Sequence, residues 1–155
     1  IDRLPERELA DLIHEYGDER RSRRIARAIA RERPIRDTLR LAEVVRAAVG
    51  GAGKTHPATR TFLALRLAVN RELDHVERGV AAALRRVASG GIVIVLSFHS
   101  GEDRFVKRAF RECAKAGHGR LLFAKPLRPG PKEVRANPRA RSARLRACEM
   151  GKDRA

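Results

Sequence analysis

One stretch constrains this chain more than any other: Gly90-Gly91-Ile92-Val93-Ile94-Val95-Leu96-Ser97-Phe98-His99-Ser100-Gly101-Glu102-Asp103-Arg104. A glycine turn feeds an apolar, β-branched run of strand length, residues 92–96. The run stops abruptly in polar residues, and a helical pattern follows over residues 103–114. That order is the strand–loop–helix unit of an α/β fold, in whose open sheets ligands sit just beyond the carboxyl ends of the strands. Ser97, Phe98, His99 and Ser100 occupy that position, with 92–96 read as a buried strand.

The charge says what such a site would serve. The formal net charge is +16, from 35 Lys and Arg against 19 Asp and Glu, and 29 of the 35 cations are arginine. Arginine forks grip phosphate bidentately and stack on bases. So large a charge implies a polyanionic partner, nucleic acid by default. An anionic membrane surface fits less well, because the basic helices carry thin apolar faces and the chain has no Trp. No apolar run approaches the roughly 18–20 residues that cross a bilayer, and no signal-peptide pattern opens the chain. Cys113 and Cys148 form no CxxC or Cys/His cluster and read as reduced packing thiols, so a cytosolic protein is expected. The first residue is Ile and a helix starts almost at once, which suggests a piece of something longer.

Three helical segments come first. Leu9, Leu12, Ile13 and Tyr16 share a face, with Pro5 a natural start and Gly17 a natural stop. Over residues 19–31, Ile25, Ala26, Ala28 and Ile29 form a thin stripe among Arg20, Arg21, Arg23, Arg24, Arg27 and Arg31, and Pro34 ends the helix. Thr38 caps a third helix, with Leu41, Val44, Val45, Ala48 and Val49 at helical spacing. After a loop at 50–55, Pro57 opens a longer helical region through Val87, broken near Asn70 or Gly79. Residues 121–123 are a short strand candidate, and Pro126, Pro129, Gly130 and Pro131 mark a loop. The segment 137–146 alternates small and basic residues and reads as an edge strand carrying Arg139, Arg141, Arg144 and Arg146. The composition shifts near residue 90, from helical to mixed.

Gly50-Gly51-Ala52-Gly53-Lys54-Thr55 imitates a phosphate-binding loop but fails its pattern. The first glycine is replaced by Ala48, no strand precedes it, and Pro57 follows too closely. His56 stands at a helix start with Arg60 one turn on, where a solvated cap and a phosphate contact are both open readings. At 97–100, Phe98 could stack a nucleobase, while His99 or either serine could hydrogen-bond its edge. Glu102, Asp103 and Arg104 give the next helix a first turn that the helix dipole alone would explain. No second carboxylate or cysteine completes a nucleophilic triad, which disfavours hydrolase chemistry.

Together these segments resemble the RsmH/MraW family of bacterial 16S rRNA cytosine-N4 methyltransferases. The matching pieces are Glu8-Leu9-Ala10-Asp11, Tyr16-Gly17-Asp18-Glu19-Arg20, Ser22-Arg23-Arg24-Ile25-Ala26-Arg27-Ala28-Ile29, residues 56–62, and Val69-Asn70-Arg71-Glu72-Leu73. Residues 96–100, Glu102-Asp103-Arg104 and residues 137–146 complete the set, in family order over nearly the whole chain. One departure is Gly101, where a leucine is expected; glycine there would loosen the loop. The larger departure is that the glycine-rich loop, acidic ribose ligand and Asp-rich segment of an S-adenosylmethionine site are not in this sequence.

The resemblance therefore implies an α/β chain made of a helical insertion domain, 1–70, and the carboxyl part of a Rossmann-like methyltransferase domain, 71–155, without the cofactor half. It implies a cytoplasmic bacterial enzyme acting on 16S rRNA in the small ribosomal subunit. Arg20, Arg23, Arg24 and Arg27 would hold RNA phosphates. His99 and Ser97 are the catalytic candidates. Phe98, Ser100, His56, Arg60, Arg104, Asn137, Arg139 and Arg141 are the substrate-binding ones. The rivals are a non-catalytic basic RNA binder and an incompletely folded truncation product.

Overall fold

A computed structural model describes residues 1–50 and 56–151. Their contacts divide after Glu72 into two compact units. The glycine-rich 51–55 part of the phosphate-loop imitation lies outside the described residues.

The first unit is helical: α1 Glu6–Gly17, α2 Ser22–Arg31, α3 Thr38–Val49 and α4 Thr59–Val69. Each buries a narrow stripe, and the stripes meet in a core around Leu9, Ile13, Ile25, Ile29 and Val45. Helix α1 runs from its Pro5 cap to Gly17, where the sequence reading stops it, and Asp18 follows in left-handed conformation, φ 50°; the starts of α2 and α3 differ from that reading. Gly17 is needed for another reason, since a Cβ there would lie 2.6 Å from the Arg60 carbonyl of α4. The arginine helix begins at Ser22 rather than Glu19; the Glu19 carboxylate instead accepts from the Arg21 amide at 2.9 Å. Asp37 rather than Thr38 caps α3, its carboxylate accepting from the Arg40 amide at 2.7 Å.

The long helical region does break, at Asn70 and Arg71. Arg71 is left-handed, and α5 Glu72–Arg86 runs through Gly79 without interruption.

The second unit sets α5 and α6 Ser100–Lys115 with a three-stranded sheet of β1 Ile92–Ser97, β2 Gly119–Leu121 and β3 Arg144–Met150. The sheet order is β1-β3-β2, and both pairings are antiparallel. Val80, Leu84, Val93, Val106, Phe110 and Met150 fill its core.

Three sequence expectations fail here. The β1 run is buried on one face only: Val93 and Ser97 are 6% and 3% exposed, whereas Ile92, Ile94 and Leu96 are 49%, 61% and 53% exposed. Residues 137–146 are not an edge strand. Asn137 caps a 3-10 turn, Pro138–Ser142, its side chain accepting from the Arg139 amide at 3.2 Å, and the strand that follows is central. The proline-marked loop also encloses a short helix, α7 Pro131–Ala136, started by Pro131 at its first turn.

Candidate functional site at the carboxyl end of β1

The chain leaves β1 at Ser97 and enters α6 at Ser100, and two side chains close the corner between them. His99 is the N-cap of α6 in extended conformation, its Nδ1 accepting from the Glu102 amide at 3.3 Å. Glu102 reaches back, Oε2 accepting from the Phe98 amide at 3.0 Å. This is a variant of the reciprocal capping box, with histidine as the cap. Because Nδ1 accepts, the ring proton is assigned to Nε2, which lies 3.2 Å from Glu102 Oε1. That contact is off-line for a hydrogen bond, so Nε2 is buried without a directional partner. The His99 ring, with the Phe98 amide adding to it, holds the Glu102 carboxyl below its usual range against the opposing effect of burial.

Ser97 is buried and its Oγ donates to the Arg144 carbonyl at 3.3 Å, across the β1–β3 pairing that sets Ser97 opposite Arg144. Phe98 is half exposed. Gly101 does not loosen the corner: it lies in the first turn of α6, where a Cβ would stand 3.2 Å from His99 Nδ1.

One residue that sequence reasoning left to the helix dipole organises this corner. Asp103, in the first turn of α6, is buried and takes the Arg146 fork on both oxygens, Nε to Oδ1 at 2.7 Å and Nη2 to Oδ2 at 3.0 Å. Arg144, two residues earlier on the same face of β3, brings Nη1 to 3.7 Å from Oδ2. The signal was present in the i, i+2 spacing of the two arginines, which puts both on one strand face. What the spacing lacked was their acceptor.

The other candidates are more dispersed. Arg104 is exposed on α6, and Arg139 and Arg141 are exposed on the 3-10 turn that Asn137 caps. Ser100 is the partly buried first residue of α6. In the helical unit, Arg20 is exposed just before α2, and Arg23, Arg24 and Arg27 are exposed along it, Arg27 lying 3.5 Å from Glu6. His56 Nδ1 accepts from the Ala58 amide at 3.2 Å, and Arg60 donates to the Asp18 carbonyl at 3.1 Å. His56 is thus tied within the start of α4, and Arg60 ties that start to the end of α1.

Among the described residues no cluster of His, Cys, Asp or Glu could hold a metal ion. No described helix is long and apolar enough to cross a membrane. The residues at the β1–α6 corner do not fit S-adenosylmethionine either. The amino end of α6 is already filled by His99, and the Glu102 carboxylate that could meet a ribose is engaged by Phe98 and His99.

Comparison with known proteins gives this geometry a setting. Residues 1–151 match the MraW methylase family. The protein named ribosomal RNA small subunit methyltransferase H from Acidobacterium capsulatum is 52% identical over 151 residues, which are 96% of this chain and 51% of the relative. Its namesake from Sorangium cellulosum is 54% identical over 153 residues, 96% of this chain and 48% of the relative. That from Solibacter usitatus is 49% identical over 150 residues, 97% and 52% of the two chains. The chain thus spans about half the length of the curated relatives it matches.

Proposed function

We propose that this chain, which belongs to the MraW methylase family, is the RNA-gripping carboxyl part of an enzyme that methylates small-subunit rRNA. The observation that carries the reading is similarity along 96% of the chain to proteins named for that activity. More finely, we propose that the complete protein moves a methyl group from S-adenosylmethionine to the N4 amine of a cytidine in 16S rRNA. Residues 1–70 would be a helical insertion and 71–155 the end of a Rossmann-like domain. Half of β1 supports the second assignment. A continuous apolar run such as 92–96 is typical of strands buried on both faces, yet Ile92, Ile94 and Leu96 face solvent, so the described residues cover only one of its faces. The cofactor would be held by sequence outside this chain.

Within this reading the corner at 97–100 is one wall of the cytidine pocket. Phe98 offers an exposed ring for stacking. Ser97 and His99 are the candidates for approaching the amine, a weak nucleophile that needs orientation and a proton acceptor. In the described state the Ser97 hydroxyl is engaged by the Arg144 carbonyl and His99 Nδ1 by the Glu102 amide, so their first work is to hold the wall in shape. Arg104, Asn137, Arg139 and Arg141 would flank the target strand, with Ser100 at the pocket. His56, Arg60, Arg20, Arg23, Arg24 and Arg27 would hold phosphates from the helical unit.

The test is transfer of labelled methyl from S-adenosylmethionine to small-subunit rRNA. It should be absent with this chain alone and present with the chain joined to a family cofactor half. Product at a position other than a cytidine N4, or none from the joined protein, would overturn the finer reading. RNA binding without transfer from the joined protein would favour the non-catalytic alternative.

A further inference from the structure

The β1–α6 corner carries an imbalance of charge that the proposed pocket does not use. Two arginine side chains, Arg144 and Arg146, are 24% and 11% exposed, and they converge on a single carboxylate, Asp103. Arg146 takes both oxygens at hydrogen-bond distance, the bidentate geometry that satisfies a guanidinium best. Arg144 receives what is left, 3.7 Å from Oδ2, beyond a hydrogen bond. One carboxylate against two guanidinium groups leaves one positive charge in a partly desolvated place, where an unsatisfied charge is expensive. Arg144 stands opposite Ser97 in the sheet and holds the Ser97 hydroxyl through its own carbonyl, so this charge lies at the mouth of the 97–100 loop.

We propose that Arg144 is a phosphate-binding residue for an unpaired RNA nucleotide seated at residues 97–100, with Asp103 and Arg146 as the brace that aims it. The inference rests on the reading of this corner as the nucleotide pocket. Phosphate fits the imbalance in charge and in shape, since it accepts two parallel N–H bonds from one fork. Asp103 fixes the guanidinium by attraction without saturating its donors. Arg146, by contrast, has both oxygens of Asp103 and acts through position alone. Arg139 and Arg141, exposed on the 3-10 turn, can follow the strand but have no carboxylate partner among the described residues.

Binding of a short fluorescent single-stranded RNA to the 155-residue chain, followed across a salt series, tests this. The variants are Arg144→Gln and Arg144→Lys, with circular dichroism to report folding. One phosphate contact on a single strand contributes about 0.7 to the log–log salt slope. Arg144→Gln should lose about that much, and Arg144→Lys should restore it. A Gln variant with the wild-type slope, or a Lys variant as flat as Gln, overturns the proposal.

If the Gln variant is unfolded, the wild type decides through an arginine-selective dicarbonyl reagent read by mass spectrometry. RNA should protect Arg144, and no protection overturns the assignment. Polyglutamate protecting as well as RNA at equal charge also overturns it, making Arg144 a general anion contact. A wild-type chain with no salt-dependent RNA affinity overturns the RNA reading itself, and this inference with it.

Discussion

Replacing Asp103 with Asn should cost the second unit about 3 kcal/mol, and the structure says why. The side chains of Asp103 and Arg146 are 13% and 11% exposed, so water can replace little of what is lost. Asn keeps one acceptor oxygen and the side-chain volume but removes the counter-charge, leaving two guanidinium groups facing each other across a neutral amide. Removing one partner of a buried ion pair costs about 3–5 kcal/mol. The slight exposure and the surviving acceptor put this site at the lower end. Domains are stable by only about 5–15 kcal/mol, so the loss is visible without ambiguity.

Urea unfolding of the chain followed by circular dichroism would measure it as a lowered midpoint at unchanged slope. The double variant Asp103→Leu with Arg146→Met should recover most of the loss, because a buried pair replaced by packed apolar groups is often neutral. A single-variant cost below about 1 kcal/mol is the value of a surface pair. That result would refute the burial argument and the brace proposed for Arg144.

Gly17→Ala should destabilise the helical unit by about 1–3 kcal/mol by driving a Cβ to 2.6 Å from the Arg60 carbonyl. Gly79→Ala, with nothing within 4 Å in mid-helix, should stabilise by about 0.5–1 kcal/mol; equal effects in thermal melts would contradict both. Burial, with neighbouring Cys113 adding to it, pushes the Cys148 thiol up to about 11. Cys148 should therefore resist iodoacetamide at pH 8 in the folded chain and react on addition of denaturant; rapid labelling of the native chain would show the packing to be wrong. The Glu102 carboxyl sits below its ordinary 4.5 when folded, so its contribution is complete above that pH and fades as pH falls through the lowered value. The stability gap between wild type and Glu102→Gln should accordingly be constant above about pH 5 and shrink in acid. A gap that widened in acid would reverse the sign.

The helices were legible because their signals are local. Apolar spacing over α1 and α3 marks a face whatever lies against it, and the elements appear where that spacing puts them. Their ends were less so: Asp37 and Thr38 are adjacent and both cap well, and only the register of α3 chooses Asp37. Gly17 is the stop that its residue type suggests, but its second task, making room for the Arg60 carbonyl on α4, comes from distant sequence and left no local sign. The β1 run reads the same whether one face or two are covered, so its exposed half could not be foreseen. The Asp103–Arg146 pair was hidden for a similar reason. Its members are 43 residues apart, and each has a sufficient local explanation, a helix dipole for one and a basic tail for the other.

The net charge of +16 therefore needs to be divided before it is turned into a binding surface. Arg40 is braced by Glu32 and Glu43, Arg66 by Glu72, and Arg120 by Glu149. Arg33 donates to the Leu4 carbonyl and Arg21 to that of Val49. These commitments are graded. The Arg108–Glu77 pair has side chains 58% and 56% exposed, and such a pair is worth little, so Arg108 can turn to a phosphate at almost no cost. Arg146 cannot, because leaving Asp103 would strand a buried carboxylate. Affinity for RNA should thus follow exposure and pairing rather than arginine count. On the proposed reading, Arg23 and Arg24 on α2 would contribute through an open face, Arg108 through an exchangeable pair, and Arg144 through an incomplete one. Arg146 would contribute nothing directly, although its removal would disturb the corner proposed to hold the nucleotide.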